Sequence, residues 1–188
     1  MSQIKSKGKL GVSRSVEIPG GVTATLNGNH LNIKGPQGEV SKSFKLGNLS
    51  LKLEGNKLLI EAQRATKNNK KFAGSINAHM NNMIRGSQEK HVYTLKICSG
   101  HFPMNVSIVS GKFIVKNFLG EKVPRILLLK HGAEVKVEGD HINILSSSKE
   151  SAGQIAADIE QLTRRPGFDT RIFQDGIYII VKDGKHLK

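Results

Sequence analysis

Lysine and arginine are the residues of this chain whose number and spacing most clearly point to a chemistry. The 188 residues include 29 Lys and Arg against 15 Asp and Glu, which gives a formal net charge of +14. A charge of this size is self-repelling unless a polyanion neutralises it. The composition therefore indicates an anionic partner, for which nucleic acid is the first candidate and an anionic membrane surface is the second.

Three stretches concentrate the basic side chains. Lysine and arginine bind nucleic acids by neutralising phosphates and releasing the counterions that surround them. The alternative for the first stretch is a solvated tail, and for the other two it is an ordinary solvated surface. The stretches contain Lys5, Lys7, Lys9 and Arg14; then Lys67, Lys70 and Lys71; and then Lys116, Lys122 and Arg125.

Patterns typical of enzymes and metal sites are missing from the sequence or have simpler explanations. There is no phosphate-binding G-x-x-x-x-G-K-[ST] loop, and no Ser or Cys nucleophile has a visible base beside it. The GPQG sequence at 35–38 matches the G-x-x-G of a KH domain, but that motif joins helices and this one lies between predicted strands. His131, Asp140 and His141 fit no usual zinc spacing. We therefore expect no enzyme, no cofactor, no metal ion and no small-molecule substrate.

The aromatic and cysteine content restricts the setting in which the chain acts. Aromatic residues make up 5% of the chain and Trp is missing, which argues against an exposed platform that stacks single-stranded bases. Lysine-rich loops instead suit the phosphates of folded RNA. Cys98 is the single cysteine, as expected in a reducing compartment. With no signal peptide and no apolar run near ~20 residues, we expect a cytoplasmic protein without a membrane partner.

Turn signals and apolar periodicity predict the elements of the first half. Asn27-Gly28 joins two alternating strands, and Gly55-Asn56 joins a second pair. A helix is predicted near 67–85, and Gly86 is expected to end it. Its three lysines lie at the end where the helix dipole disfavours cations. The apolar stripe of this helix contains Phe72, Ile76, Met80 and Met83.

The second half of the chain repeats the first. The sequence LKLEGN at 51–56 recurs as VKVEGD at 135–140, and Ala73-Gly74 recurs as Ala152-Gly153 in a second helix near 149–164. These matches predict an α+β fold of two tandem duplicated domains, each a small, mostly antiparallel sheet with one helix packed on one face. The predicted organisation is a basic arm at 1–14, domains at 15–99 and 100–182, and a short basic tail at 183–188.

The stretch RIFQDGIYIIVK at 171–182 closes the second half. Asp175-Gly176 predicts a hairpin turn, and we expect a positive φ both at Gly176 and at Gly120. The apolar run at 177–181 is typical of a strand that is covered on both faces.

Several motifs of this chain belong to one pattern. They are Gln161, Arg171, Phe173, Asp175, Gly176, Ile177, Tyr178, Ile179 and Lys182; His101-Phe102-Pro103; the KNFLGEK loop from Lys116 to Lys122; and Lys34-Gly35-Pro36 followed by Gly38. In this order they resemble the ribosomal protein L6 family of the large subunit, in its archaeal and eukaryotic branch. Two positions depart from the family pattern. Arg165 stands where an aliphatic residue is usual, and Phe168 stands where a basic residue is usual.

The resemblance implies a structural constituent of the large ribosomal subunit, a ribonucleoprotein of translation. It implies binding of large-subunit ribosomal RNA near the translation-factor docking region, beside the sarcin–ricin loop, with neighbouring ribosomal proteins as further partners. It also implies that the main RNA contact lies in the second half, although the first half is the more basic. The expected contacts are Lys116, Asn117, Lys122, Arg125, Arg171, Lys182 and Lys185, with the first two basic stretches as additional candidates.

Two other functions agree with the composition. One is an RNA-binding or RNA-chaperone protein outside the ribosome. The other is a protein-interaction adaptor whose exposed strands pair with partner chains.

Overall fold

The computed structural model describes residues 11–129, 132–169 and 171–187. The chain divides into two units between Glu89 and Lys90. No helix in the described ranges is long and apolar enough to cross a membrane. The predicted contacts Lys5, Lys7 and Lys9, and also His131, lie outside the described residues.

The first unit contains six strands followed by one helix. The elements are β1 (Val12–Glu17), β2 (Thr23–Asn27), β3 (His30–Gly35), β4 (Gly38–Ser43), β5 (Leu49–Glu54), β6 (Lys57–Ala62) and α1 (Lys67–Gln88). Strands β1, β6 and β5 form one antiparallel sheet in that order, and β2, β3 and β4 form another. The predicted turns at Gly28 and Gly55 are confirmed, and both glycines have a positive φ.

Apolar side chains of both sheets and of one face of α1 fill the core of the first unit. The fully buried strand residues are Leu31, Ile33, Leu58 and Ile60. On α1 the predicted stripe is confirmed at Ile76, Met80 and Met83 but is wrong at Phe72, which is 57% exposed. Ala73 is buried instead, because the first turns of the helix turn Asn69 and Ala73 inward and leave Phe72 on the exposed side.

Helix α1 was predicted to span about 67–85 and to end at Gly86, but it continues to Gln88. Both Gly86 and Ser87 are buried, and the backbone N–H of Gln37 donates to the carbonyl oxygen of Ser87 over 2.9 Å. The turn between β3 and β4 therefore satisfies a carbonyl at the end of the helix that has no partner within it. This contact gives the GPQG sequence at 35–38 a structural role within the first unit.

The second unit repeats this order of elements and adds two strands. The elements are β7 (His91–Cys98), β8 (Asn105–Val109), β9 (Lys112–Lys116), β10 (Arg125–Leu128), β11 (Glu134–Glu138), β12 (His141–Ser146), α2 (Lys149–Leu162), β13 (Gly176–Lys182) and β14 (Lys185–His186). Strands β10, β9 and β8 form one antiparallel sheet, and β11, β12, β7, β13 and β14 form another.

The duplication is confirmed, but the two repeats begin and end at other residues than predicted. Strand β7 pairs with β12 as β1 pairs with β6, and α2 packs on β7, β10 and β12 as α1 packs on β1, β4 and β6. The repeats therefore run from 12 to 88 and from 91 to 162. The units divide at 89–90 rather than at the predicted 99–100 junction. The sequence shows that β7 is a strand, but it does not show that its partners, β12 and β13, both lie in the second unit.

The last strands also differ from the prediction. Ile177 is fully buried but Tyr178 is 41% exposed, so β13 is not covered on both faces along its length. Residues 183–186 of the predicted tail form the β13–β14 turn and β14, in which Lys185 lies opposite Lys182. At the other end of the chain, Arg14 of the predicted arm lies in β1.

A buried carboxylate holds the β13–β14 turn in place. Asp183 adopts a positive φ of 51°, and its side chain is 7% exposed. It accepts hydrogen bonds from Nδ1 of His91 and Nζ of Lys149, each over 2.8 Å. Burial raises the pKa of Asp183, but the bonds from Lys149 and His91 outweigh burial, so that the pKa falls below its usual 3.8.

We expect Gly35→Ala to destabilise the first unit. A methyl group at this position would lie 2.5 Å from the carbonyl oxygen of Ser87, which is closer than van der Waals contact allows. The expected loss is about 1–3 kcal/mol in the free energy of unfolding, as for other overpacked sites, measured by urea denaturation. Gly20→Ala is the matched control because no described atom lies within 4 Å of its Cβ position. Equal effects of the two changes would contradict this contact.

Asp183 should also make stability depend on pH. A carboxylate with a lowered pKa contributes stability above its unfolded-state pKa, and this contribution is lost as the pH falls through the folded-state value. Asp183→Asn, which keeps the left-handed backbone accessible, should therefore lower stability at pH 7 more than at pH 3. Urea denaturation at both pH values measures this difference. The exposed Asp140→Asn is the control, and a loss at Asp183 that is the same at both pH values would refute the ion pair.

Candidate nucleic-acid interface

Three loops of the second unit lie against one another. They are residues 99–104 between β7 and β8, residues 117–124 between β9 and β10, and residues 163–175 between α2 and β13. We refer to them as the three-loop cluster; of its residues, Thr170 lies outside the described ranges. The hydrogen bonds and ring contacts that join these loops determine which of the predicted contact residues are available to a partner.

Asp175 joins the first loop to the third. Its side chain is 3% exposed and accepts hydrogen bonds from the backbone N–H groups of Gly100 and His101 and from Nδ1 of His101. Burial raises the pKa of this carboxyl, but the hydrogen bonds from His101 and Gly100 outweigh burial and lower the pKa below its usual 3.8. A carboxylate in this state is ionised at neutral pH and binds three donors of another loop.

The predicted Asp-Gly hairpin turn is therefore wrong. Asp175 precedes the first residue of β13, and a loop rather than a paired strand leads to it. Gly176 does not have the expected positive φ. Packing explains the glycine at this position instead, because a Cβ there would lie 3.2 Å from the ring of Tyr178.

The second loop is held in a left-handed backbone conformation. Asn117, Leu119 and Gly120 all have positive φ values, of 58°, 47° and 77°, so the prediction for Gly120 is confirmed. Nδ2 of Asn117 donates to the carbonyl oxygen of Pro103 over 3.0 Å. A methyl at Gly120 would lie 3.6 Å from the ring of Phe102. The KNFLGEK sequence thus fixes this loop against the first loop.

Arg125, one of the predicted RNA contacts, is engaged within the second unit. Its Nε and Nη2 donate to the two carboxylate oxygens of Glu121 over 2.8 and 2.6 Å, and its Nη1 donates to the carbonyl oxygen of Leu162 over 2.7 Å. The guanidinium also lies 4.4 Å from the centre of the buried Phe118 ring. The hydrogen bond from Arg125 lowers the pKa of Glu121, which remains ionised and neutralises the arginine. Arg125 therefore connects the second loop to the end of α2.

Two lysines are available to a partner here, Lys116 at the end of β9 and Lys122 in the second loop. Lys116 and Lys122 are exposed, and neither forms an ion pair with any residue that the structure describes. Arg171 in the third loop has an 89% exposed side chain but pairs with Asp169 over 2.8 Å. The hydrogen bond from Arg171 lowers the pKa of Asp169, so this pair carries little net charge.

Lys182 and Lys185 lie away from the three-loop cluster. They are exposed partners across the β13–β14 pair. Lys182 is six residues along β13 from Gly176, which at ~3.3 Å per residue is about 20 Å. The structure therefore does not bring these two lysines together with Lys116 and Lys122.

The basic residues of the first unit form their own group. Lys67, Lys70 and Lys71 are exposed on the first turns of α1. A methyl at Gly74 would lie 3.9 Å from the guanidinium of Arg14, so this arginine of β1 also lies beside α1.

A group of aromatic rings and an arginine joins the third loop to His101 and was not predicted from the sequence. The ring of His101 stacks on that of Phe173, with centroids 5.1 Å apart, and Phe173 meets Phe168 edge-on at 5.1 Å. The guanidinium of Arg165 lies 4.1 Å from the centre of the Phe168 ring. The two departures from the family pattern, Arg165 and Phe168, are therefore in contact with each other. Their joint departure was the sequence signal for this group.

Comparison with known proteins agrees with the duplicated architecture. The model of the family described as Ribosomal protein L6 matches residues 18–90 and again residues 102–176. The chain is 40% identical to the large ribosomal subunit protein uL6 of Methanothrix thermoacetophila over 171 residues, which cover 91% of this chain and 97% of that protein. It is 39% identical to the protein of that name from Methanococcus vannielii, over 94% of this chain and 97% of the relative. The corresponding protein of Methanobrevibacter smithii is 38% identical, over 92% and 97%. Because the family model matches both halves and these relatives match over nearly the full length, the chain belongs to the ribosomal protein L6 family.

Proposed function

We propose that this protein is a structural constituent of the large ribosomal subunit that binds large-subunit ribosomal RNA through the three-loop cluster. The names of its relatives and its net charge of +14 support this assignment. The main observation behind this proposal is that two lysines are exposed beside contacts that hold the second loop. Lys116 precedes this loop at the end of β9, and Lys122 lies within it. They form no ion pair with any described residue.

The mechanism is phosphate neutralisation by side chains that a rigid scaffold presents. The hydrogen bond from Asn117 to Pro103 and the pairing of Arg125 with Glu121 hold the loop before any partner is bound. Less conformational entropy is then lost on binding, which favours affinity. Lysine contacts to phosphate do not read base sequence, so recognition of the folded RNA depends mainly on shape.

The protein acts in this proposal by binding alone, without a cofactor or a catalysed reaction. Its position is near the docking region for translation factors, and neighbouring ribosomal proteins are its other partners. Lys182, Lys185 and the basic group of the first unit are available for additional contacts with RNA or with these neighbours.

Assembly into large subunits tests the proposal directly. Tagged full-length chain expressed in a host whose own copy is depleted should sediment with large subunits through a low-salt sucrose gradient. Recovery only in the fractions of free protein would overturn the proposal. That result would favour an RNA chaperone or an adaptor outside the ribosome.

Loss of the two available lysines should weaken RNA binding in a salt-dependent way. Each phosphate contact contributes roughly one unit to the slope of log K against log salt. Lys116→Ala with Lys122→Ala should therefore reduce that slope by roughly two units in filter binding to purified large-subunit ribosomal RNA.

The control for this experiment removes two lysines that are already paired. Lys57 lies 2.9 Å from Glu17, and Lys136 lies 3.0 Å from Glu134. Changing both to Ala removes the same charge outside the three-loop cluster. If the control flattens the slope as much as the loop variant does, binding follows net charge and the assignment of the loop is wrong.

Arg125→Ala should affect stability instead. The change removes hydrogen bonds to Glu121 and Leu162 and leaves a partly buried carboxylate without its partner, which costs roughly 1–3 kcal/mol. We expect a lower midpoint of urea denaturation and no change in the salt slope of RNA binding. A flatter slope with unchanged stability would show that Arg125 contacts phosphate and not Glu121.

A further inference from the structure

A cavity of about 480 Å³ lies between the third loop, the end of α2 and the start of β13. Its volume falls in the range of small-ligand pockets, roughly 300–1,000 Å³. Three aromatic rings line it, those of Phe168, Phe173 and Tyr178. The chain has 7 Phe and 2 Tyr, so the low aromatic content that argued against base stacking conceals a local concentration of rings.

Phe168 and Tyr178 present part of their ring surface to solvent at this cavity. They are 38% and 41% exposed, whereas a ring that serves only the core is normally buried. Phe168 contacts the guanidinium of Arg165, 4.1 Å from its ring centre, and meets the ring of Phe173 edge-on. Phe173 in turn stacks on His101, whose position Asp175 determines. The exposed ring is therefore held in place by a continuous series of contacts.

The polar groups around the cavity complement a planar ring with both donors and acceptors. Arg164 supplies donors, and Glu160 supplies a carboxylate. One oxygen of Glu160 accepts from the backbone N–H of Ile179 over 3.1 Å, and its remaining lone pairs are free to accept further N–H groups. Burial raises the pKa of Tyr178, so its hydroxyl is protonated at neutral pH and can donate.

A carboxylate in this position disfavours a phosphate as the ligand. Phosphate and Glu160 would repel each other at close range. The three aromatic rings of the cavity would also contribute little to phosphate binding. A base edge that presents N–H groups binds a carboxylate, and a base face stacks on aromatic rings. The combination of rings and mixed polar groups thus matches an unpaired nucleobase.

We propose that this cavity binds one unpaired nucleobase of RNA, and that guanine is preferred. The base stacks on the exposed ring of Phe168, and its N1 and N2 donors face the carboxylate of Glu160. Guanine is the RNA base whose Watson–Crick edge carries two adjacent donors next to an acceptor, the O6 atom, which suits Arg164 and the Tyr178 hydroxyl. This inference rests on the proposed RNA-binding function and specifies a base contact within it.

Short RNA heptamers provide the probe. The full-length chain is titrated at low salt with UUUGUUU, UUUAUUU and UUUUUUU, and binding is measured by fluorescence anisotropy of a 5′ label. We expect the guanine heptamer to bind about tenfold more tightly than the all-uridine heptamer. Phe168→Leu should reduce this preference to less than threefold, because the leucine keeps an apolar side chain but removes the stacking surface.

Two further variants separate stacking from edge recognition. Glu160→Gln keeps the acceptor for Ile179 but removes the charge, and it should bring the guanine heptamer to the level of the adenine heptamer. Phe72→Leu removes a ring of the first unit that is 57% exposed, and it is the matched control. We expect Phe72→Leu to leave the preference for guanine unchanged.

The outcomes distinguish this inference from the proposed function. Salt-dependent binding of all three heptamers with equal affinity would refute the base site and leave phosphate binding intact, and the exposed rings would then fit a protein partner better. Equal effects of Phe72→Leu and Phe168→Leu would also refute it. If neither the heptamers nor large-subunit ribosomal RNA binds, the proposed function fails and the base site fails with it.

Discussion

The arrangement of the second unit at its candidate interface depends on one buried carboxylate. Asp175 precedes β13 in the third loop and binds two backbone N–H groups and the imidazole of the first loop. Removing three donors and a carboxylate from water is costly unless they satisfy one another, so the two loops are held together. The first loop in turn positions the second through Pro103 and Phe102. A single residue thus fixes the relative positions of the backbone segments that carry Lys116, Lys122 and Phe168.

The basic residues of this chain divide into two groups by what they contact. Arg125 is neutralised by Glu121, and Arg171 is paired with Asp169. Lys116 and Lys122 form no ion pair with a described residue and so retain their charge for a partner. Arginine has a planar group with five donors that suits internal networks, whereas lysine is a flexible point charge. A count of positive residues cannot make this distinction, so all four were predicted from the sequence to contact RNA.

Patterns of neighbouring residues predicted the turns, helices and strands. They did not predict the contacts between residues that are distant in the chain. The turns at Gly28 and Gly55, both helices and the paired LKLEGN and VKVEGD strands depend on neighbouring residues, and all are found. The partners of β7 and the role of Asp175 depend on residues more than 40 positions away in the chain, so turn chemistry and periodicity carried no information about them. The contact of Arg165 with Phe168 is local, but it lies in a loop without periodicity, so only the departure from the family pattern was visible in the sequence.

The central claim is that the three-loop cluster is the surface that faces ribosomal RNA, and photochemical cross-linking measures this most directly. Large subunits that contain the chain are irradiated with ultraviolet light, the RNA is digested, and peptides that carry a nucleotide are identified by mass spectrometry. The structure predicts cross-linked peptides within residues 99–124 and 163–178. Cross-links confined to α1 and the strands of the first unit would contradict the claim.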